Sequence, residues 1–61
     1  MFKVMIGQDG DDFIFAERPS LPGAETIAKN QLKKIKEQNL PTNIYILTPE
    51  GGRIPPLGFS S

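Results

Sequence analysis

Residues 24–39 form the one stretch long and periodic enough for a helix of several turns, and they set the terms for the rest of the chain. Ala24, Ile27, Ala28, Leu32 and Ile35 recur at the spacing of a single helical face. Glu25, Lys29, Asn30, Lys33, Lys34, Lys36 and Glu37 fill the remaining positions, which predicts a wet and mostly basic opposite side. A helix with one apolar stripe covers one face of one small sheet, so strands are expected on both sides of it in the sequence.

Residues 2–6 alternate Phe2, Val4 and Ile6 with Lys3 and Met5, and residues 13–17 are rich in aromatic and branched side chains. Both read as strands. Asp9-Gly10 between them is a two-residue hairpin signal, because a type I′ turn requires positive φ at both central positions. That turn sets Gln8 opposite Asp11, Ile6 opposite Phe13, Met5 opposite Ile14, Val4 opposite Phe15 and Lys3 opposite Ala16. Opposed residues share a face, so Val4, Ile6, Phe13 and Phe15 are expected to line one apolar side.

Arg18-Pro19-Ser20-Leu21-Pro22-Gly23 is a connector, since two prolines in four residues remove two ladder donors. The helix is expected to begin between residues 22 and 24, capped by Ser20 or Gly23, with Glu25 near the positive end of its dipole. Lys33, Lys34 and Lys36 suit its C-terminal half, Asn39 the left-handed closing position, and Pro41 blocks continuation. Residues 43–48 contain Ile44-Tyr45-Ile46-Leu47, apolar on both faces, and read as a third, buried strand. Pro49-Glu50-Gly51-Gly52 makes a turn, and Arg53-Ile54 a short fourth strand that Pro55-Pro56 ends. Residues 55–61 are a tail containing Pro and Gly, with two large apolar residues, Leu57 and Phe59. The expected fold is α+β: an N-terminal β-hairpin, one amphipathic helix and a third strand (ββαβ), with the helix on one face of a small, mainly antiparallel sheet. Strand order 2-1-3 is preferred over 1-2-3, because antiparallel neighbours outnumber parallel ones.

Sixty-one residues make a single domain, 1–61, and a chain this short buries only about 60% of the surface its unfolded form exposes. With neither cysteine nor histidine, no disulfide or usual zinc ligand set reinforces that thin core. Seven Lys and Arg balance seven Asp and Glu, which argues against a dedicated nucleic-acid binder. The balance conceals an asymmetry: residues 1–19 carry net −2 and residues 20–40 net +2. No apolar run approaches the roughly 18 residues of a membrane span, and Met1 leads straight into a strand pattern instead of a signal-peptide core. The expectation is a soluble, cytoplasmic protein without cofactors.

Asp9, Asp11 and Asp12 are the one carboxylate cluster, but a calcium loop would need an oxygen ligand and then glycine where Phe13 and Ile14 stand. Turn chemistry accounts for the three acids, and no metal is expected. Without His or Cys, no nucleophile and base stand at a recognisable spacing, and the glycines at 7, 10, 51 and 52 match no phosphate-binding loop. No catalytic residue is expected. Arg18-Pro19-Ser20-Leu21-Pro22 has the spacing read by polyproline-binding grooves, yet as a connector it needs no partner.

The second face of the sheet carries the functional expectation. If the helix covers Val4, Ile6, Phe13, Phe15, Ile44 and Ile46, then Met5, Ile14, Ala16, Tyr45 and Leu47 lie on the far side, where a face meeting only water should be polar. Either Ile54, Leu57 and Phe59 fold back over it, or another chain does, a second copy or a foreign protein. The expected function is a small non-enzymatic protein-binding module, regulator or inhibitor in type, using Met5, Ile14, Tyr45, Leu47, Leu57 and Phe59. The alternative from another class is a nucleic-acid binder using Lys29, Lys33 and Lys36 on the helix.

An N-terminal hairpin followed by Leu21-Pro22-Gly23 and an amphipathic helix resembles the HicB antitoxin pattern over residues 2–38. The chain departs from that pattern in lacking a strand between the tripeptide and the helix. Small phage proteins that inhibit host enzymes share the hairpin, helix and strand layout, and likeness at that level does not transfer function.

Overall fold

The computed structural model describes residues 1–8 and 10–56. Asp9 at the hairpin tip, and the tail residues Leu57 and Phe59, lie outside the described residues. Four strands and one helix follow in the order β1 (Phe2–Gln8), β2 (Asp11–Arg18), α1 (Leu21–Gln38), β3 (Thr42–Leu47) and β4 (Arg53–Ile54). The sheet order is β2-β1-β3-β4, with every neighbouring pair antiparallel. This is the expected α+β arrangement with strand 1 central.

The helix begins earlier than the sequence predicts. Ser20 is the N-cap, in an extended conformation at φ −126° and ψ 152°, and makes no side-chain cap hydrogen bond. Pro22 is tolerated in the first turn because its missing N–H has no intrahelical acceptor to lose. The earlier start moves Glu25 out of the first turn, away from its expected place by the dipole, and the residue is buried, not wet. At the other end Asn39 takes the left-handed conformation, φ 52° and ψ 46°. Its N–H reaches the Lys36 carbonyl at 3.3 Å and the Leu40 N–H reaches Ile35 at 3.0 Å, the paired bonds of a Schellman motif.

The core is small and lies between the helix and the two central strands. Val4, Ile6, Ala24, Ala28, Ile44 and Ile46 are buried, with Phe2, Ala16, Leu21, Ile27, Leu32, Ile35 and Ile54 packed around them. Ala24 and Ala28 bring the helix backbone close to the sheet, where the branched side chains of β1 and β3 fill the space between.

The hairpin register holds from Gln8↔Asp11 to Met5↔Ile14 and then slips by one residue. Val4 pairs with Ala16 instead of Phe15, Lys3 with Glu17 instead of Ala16, and Phe15 is the extra residue of a bulge. Ala16 therefore moves from the expected far side to the core side, where it packs against the buried cluster. Phe13 and Phe15, expected under the helix, are 47% and 45% exposed. For Phe15 the reason is the bulge, and for Phe13 it is width. A helix with its side chains is about 10–12 Å across and strands lie about 4.8 Å apart, so one helix shelters about two strands fully, here β1 and β3, and reaches β2 at Ala16.

Candidate protein-binding surface

The sheet face away from the helix is built in rows across the strands. Glu17, Lys3, Leu47 and Arg53 form one row, Ile14, Met5 and Tyr45 the next, and Asp12, Gly7 and Asn43 the third. Of the residues expected to bind protein, Met5, Ile14, Tyr45 and Leu47 are brought together here. Met5, Tyr45 and Leu47 are partly buried, and Ile14 is 49% exposed.

The face is more polar than the sequence predicts, and Tyr45 shows how. Its hydroxyl donates a hydrogen bond to Asp12 Oδ2 at 3.0 Å, joining β3 to β2 across the intervening strand β1. Gly7 on β1 makes the crossing feasible, because a Cβ there would collide with Asp12 Oδ1. From the other side the Arg53 guanidinium sits 4.9 Å from the Tyr45 ring centroid, a cation–π contact. Desolvation pushes the Tyr45 hydroxyl above its ordinary range, the bonded Asp12 carboxylate pushes the same way, and the Arg53 charge opposes both. Arg53, Tyr45 and Asp12 thus form a polar band beside the apolar row of Met5 and Ile14.

Ile14 joins this face to the open edge of the sheet. Phe13, Ile14 and Phe15 are 47%, 49% and 45% exposed, three consecutive large apolar side chains on the eight-residue edge strand β2. Phe13 and Phe15 are not among the binding residues that the sequence suggests. Their alternation with Ile14 looks like core packing, and only strand order and helix width reveal that the core ends before reaching them. The opposite edge differs: β4 contributes two residues, paired to Ile46 and Leu47, before Pro55 and Pro56. There an open groove of about 560 Å³ lies between Leu32 and Lys36 of the helix, the start of β3, and Pro55 and Pro56.

Asp11 and Asp12 are successive residues of a strand and so project to opposite faces, Asp12 toward Tyr45. Among the described residues no group of three or more His, Cys, Asp or Glu is placed to hold a metal ion. Lys29, Lys33 and Lys36 fall along one side of the helix by their spacing, Lys29 partly buried and the other two exposed.

No protein-family model matches the chain, and no curated protein or solved structure shows significant similarity to it.

Proposed function

We propose that this chain is a small non-enzymatic protein-binding module, a regulator or inhibitor in type, acting in the cytoplasm. One observation carries the reading: the exposed run Phe13, Ile14 and Phe15 on an open edge strand, continuous through Ile14 with Met5 and Tyr45 on the sheet face. Ile14 extends the open-face row of Met5 and Tyr45 to the edge, while Phe13 lies on the helix side and Phe15 at the bulge, and apolar area left exposed on this edge costs solvation until another surface covers it. Aromatic and methionine side chains are also those that protein interfaces favour. Leu47 extends the patch along β3, and Leu57 and Phe59 belong to the proposal from sequence alone. Among the described residues no helix is long and apolar enough to cross a membrane, and the proposal includes no membrane partner.

The test is recovery of binding partners from the source cell by wild-type protein, by Ile14→Lys and by Tyr45→Lys. The reading expects a partner that wild type retains and both variants lose while keeping their helical spectrum. Equal recovery by all three overturns it. The competing nucleic-acid reading predicts something else: salt-sensitive affinity for DNA or RNA that disappears when Lys29, Lys33 and Lys36 become Gln.

A further inference from the structure

Resting on the binding-module reading, we infer that β2 takes up its partner by strand addition, and that the partner is an extended segment of a foreign polypeptide, apolar in its middle and carrying lysine or arginine at the end that lies against Asp11 and Asp12. Alternate residues of an edge strand direct their N–H and C=O groups away from the sheet, and among the described residues β2 (Asp11–Arg18) is an edge of eight residues with β1 as its one neighbour. Its centre offers Ile14 on the open face, Phe13 on the helix face and Phe15 at the bulge, all at nearly half exposure. Its charge is one-sided. Asp11 and Asp12 precede the apolar centre, whereas Glu17 and Arg18, which follow it, balance, with Lys3 opposite Glu17 on β1. Opposite charges across strands favour pairing, so a basic residue fits against Asp11 and Asp12.

A second copy of the chain fits poorly, and the bulge is the reason. Asp12, Ile14 and Glu17 share rows with Gly7, Met5 and Lys3 on the open face, whereas Phe13, Ala16 and Arg18 share rows with Ile6, Val4 and Phe2 on the helix side. A two-fold antiparallel pairing that uses the whole strand and keeps these faces matched sets Ile14 against the other copy's Phe15. It also sets Asp12 against the other copy's Glu17 and Asp11 against its Arg18, each twice by symmetry, so like and opposite charge pairs offset and a second copy gains nothing from the acidic end. The bulge further confines a regular ladder to short stretches beside Phe15, which disfavours indiscriminate sheet growth and suits a short segment.

The experiment is selection of random dodecapeptides displayed on phage against the immobilised full chain, in parallel with Asp11→Lys and Glu17→Gln. Wild type is expected to enrich peptides with a β-branched or aromatic centre and Lys or Arg toward one end. A resynthesised winner should shift the backbone amide resonances of β2 and bind Asp11→Lys about tenfold more weakly, with Glu17→Gln close to wild type. Absence of enrichment, winners without a basic end, equal binding to Asp11→Lys, or shifts confined to the helix or to the groove beside β3 would each overturn the inference. So would a wild-type dimer in sedimentation whose interface maps to β2. Failure here is separable from failure of the binding-module reading: a cellular partner lost with Ile14→Lys, alongside a selection indifferent to charge, defeats the strand-addition chemistry alone.

Discussion

The two edges of the sheet are built on opposite plans. β4 is two residues long, is reached through a turn in which Gly51 has φ +90°, and is followed at once by Pro55 and Pro56, which have no N–H to offer. The Thr48 and Gly52 backbones close that turn, Thr48 N–H to Gly52 O at 2.8 Å, and the Thr48 hydroxyl accepts from Gly52 N–H at 2.9 Å. β2 is eight residues long, carries three half-exposed apolar side chains and is interrupted by one bulge. Short strands and proline are standard ways to blunt an edge. A chain that blunts one edge so thoroughly and leaves the other long and apolar has an asymmetry that folding alone does not require.

The two edges should also differ in how much they contribute to stability. Ile46 is fully buried, pairs with both Val4 and Ile54, and anchors the β4 side. Ile46→Ala should cost about 2–5 kcal/mol. That is comparable with the whole stability of a chain this size, on the order of 3–9 kcal/mol. Thermal denaturation should find the variant largely unfolded. Phe15→Ala on β2 should cost no more than about 1 kcal/mol, because half of the ring is already in water. A loss at Phe15 as large as that at Ile46 would mean the β2 edge belongs to the core, and the contrast between the edges would disappear.

Gly7→Ala gives a smaller effect with a specific signature. The added methyl displaces Asp12 and breaks the bond that ties β2 to Tyr45, at a cost of about 1 kcal/mol. The variant and Tyr45→Phe should not add in a double-mutant cycle, since both remove the same contact. Full additivity would show that the bond contributes nothing to holding the edge.

Alkaline titration gives the next effect down. Tyr45 is raised above its ordinary value of 10.0, so the native state holds the phenolic proton more tightly than the unfolded chain does. Its contribution is fully present below the unfolded value and is lost as pH rises from there through the folded one. Unfolding curves across that window should show wild-type stability falling, with a shallower fall in Tyr45→Phe. The smallest change is expected from Lys33→Gln on the exposed helix side, within about 0.5 kcal/mol by urea denaturation.

The features legible in the sequence are those fixed by local periodicity. The helical stripe from Ala24 to Ile35 packs as expected because 3.6-residue spacing is independent of what it packs on. The hairpin is legible because Asp9-Gly10 and the flanking alternation agree, and Gly10 has the positive φ of +85° that such a turn needs. The bulge is not legible, since Phe13, Phe15 and Glu17 alternate as smoothly through an inserted residue as through a regular strand. Its consequences, Ala16 in the core and Phe15 outside it, follow from pairing with β1. The roles of Gly7 and Arg53 are not legible for a related reason: Gly7 leaves room for Asp12 directly opposite on β2, Arg53 reaches Tyr45 diagonally from β4, and both depend on which strands lie side by side. Of the candidate surface, Met5, Ile14, Tyr45 and Leu47 follow from alternation. The environments of Phe13 and Phe15 do not, because an apolar residue in a strand says nothing about whether a helix reaches it or a bulge displaces it.

Amide hydrogen exchange along β2, measured in the free protein and in complex with a recovered partner, tests the docking role of this edge most directly. Amides between Asp11 and Arg18 that are directed away from β1 should exchange fast in the free chain and become protected in the complex, while the amides of α1 are unchanged. Protection that appears on the lysine side of the helix, with the β2 amides exchanging as before, would contradict that role.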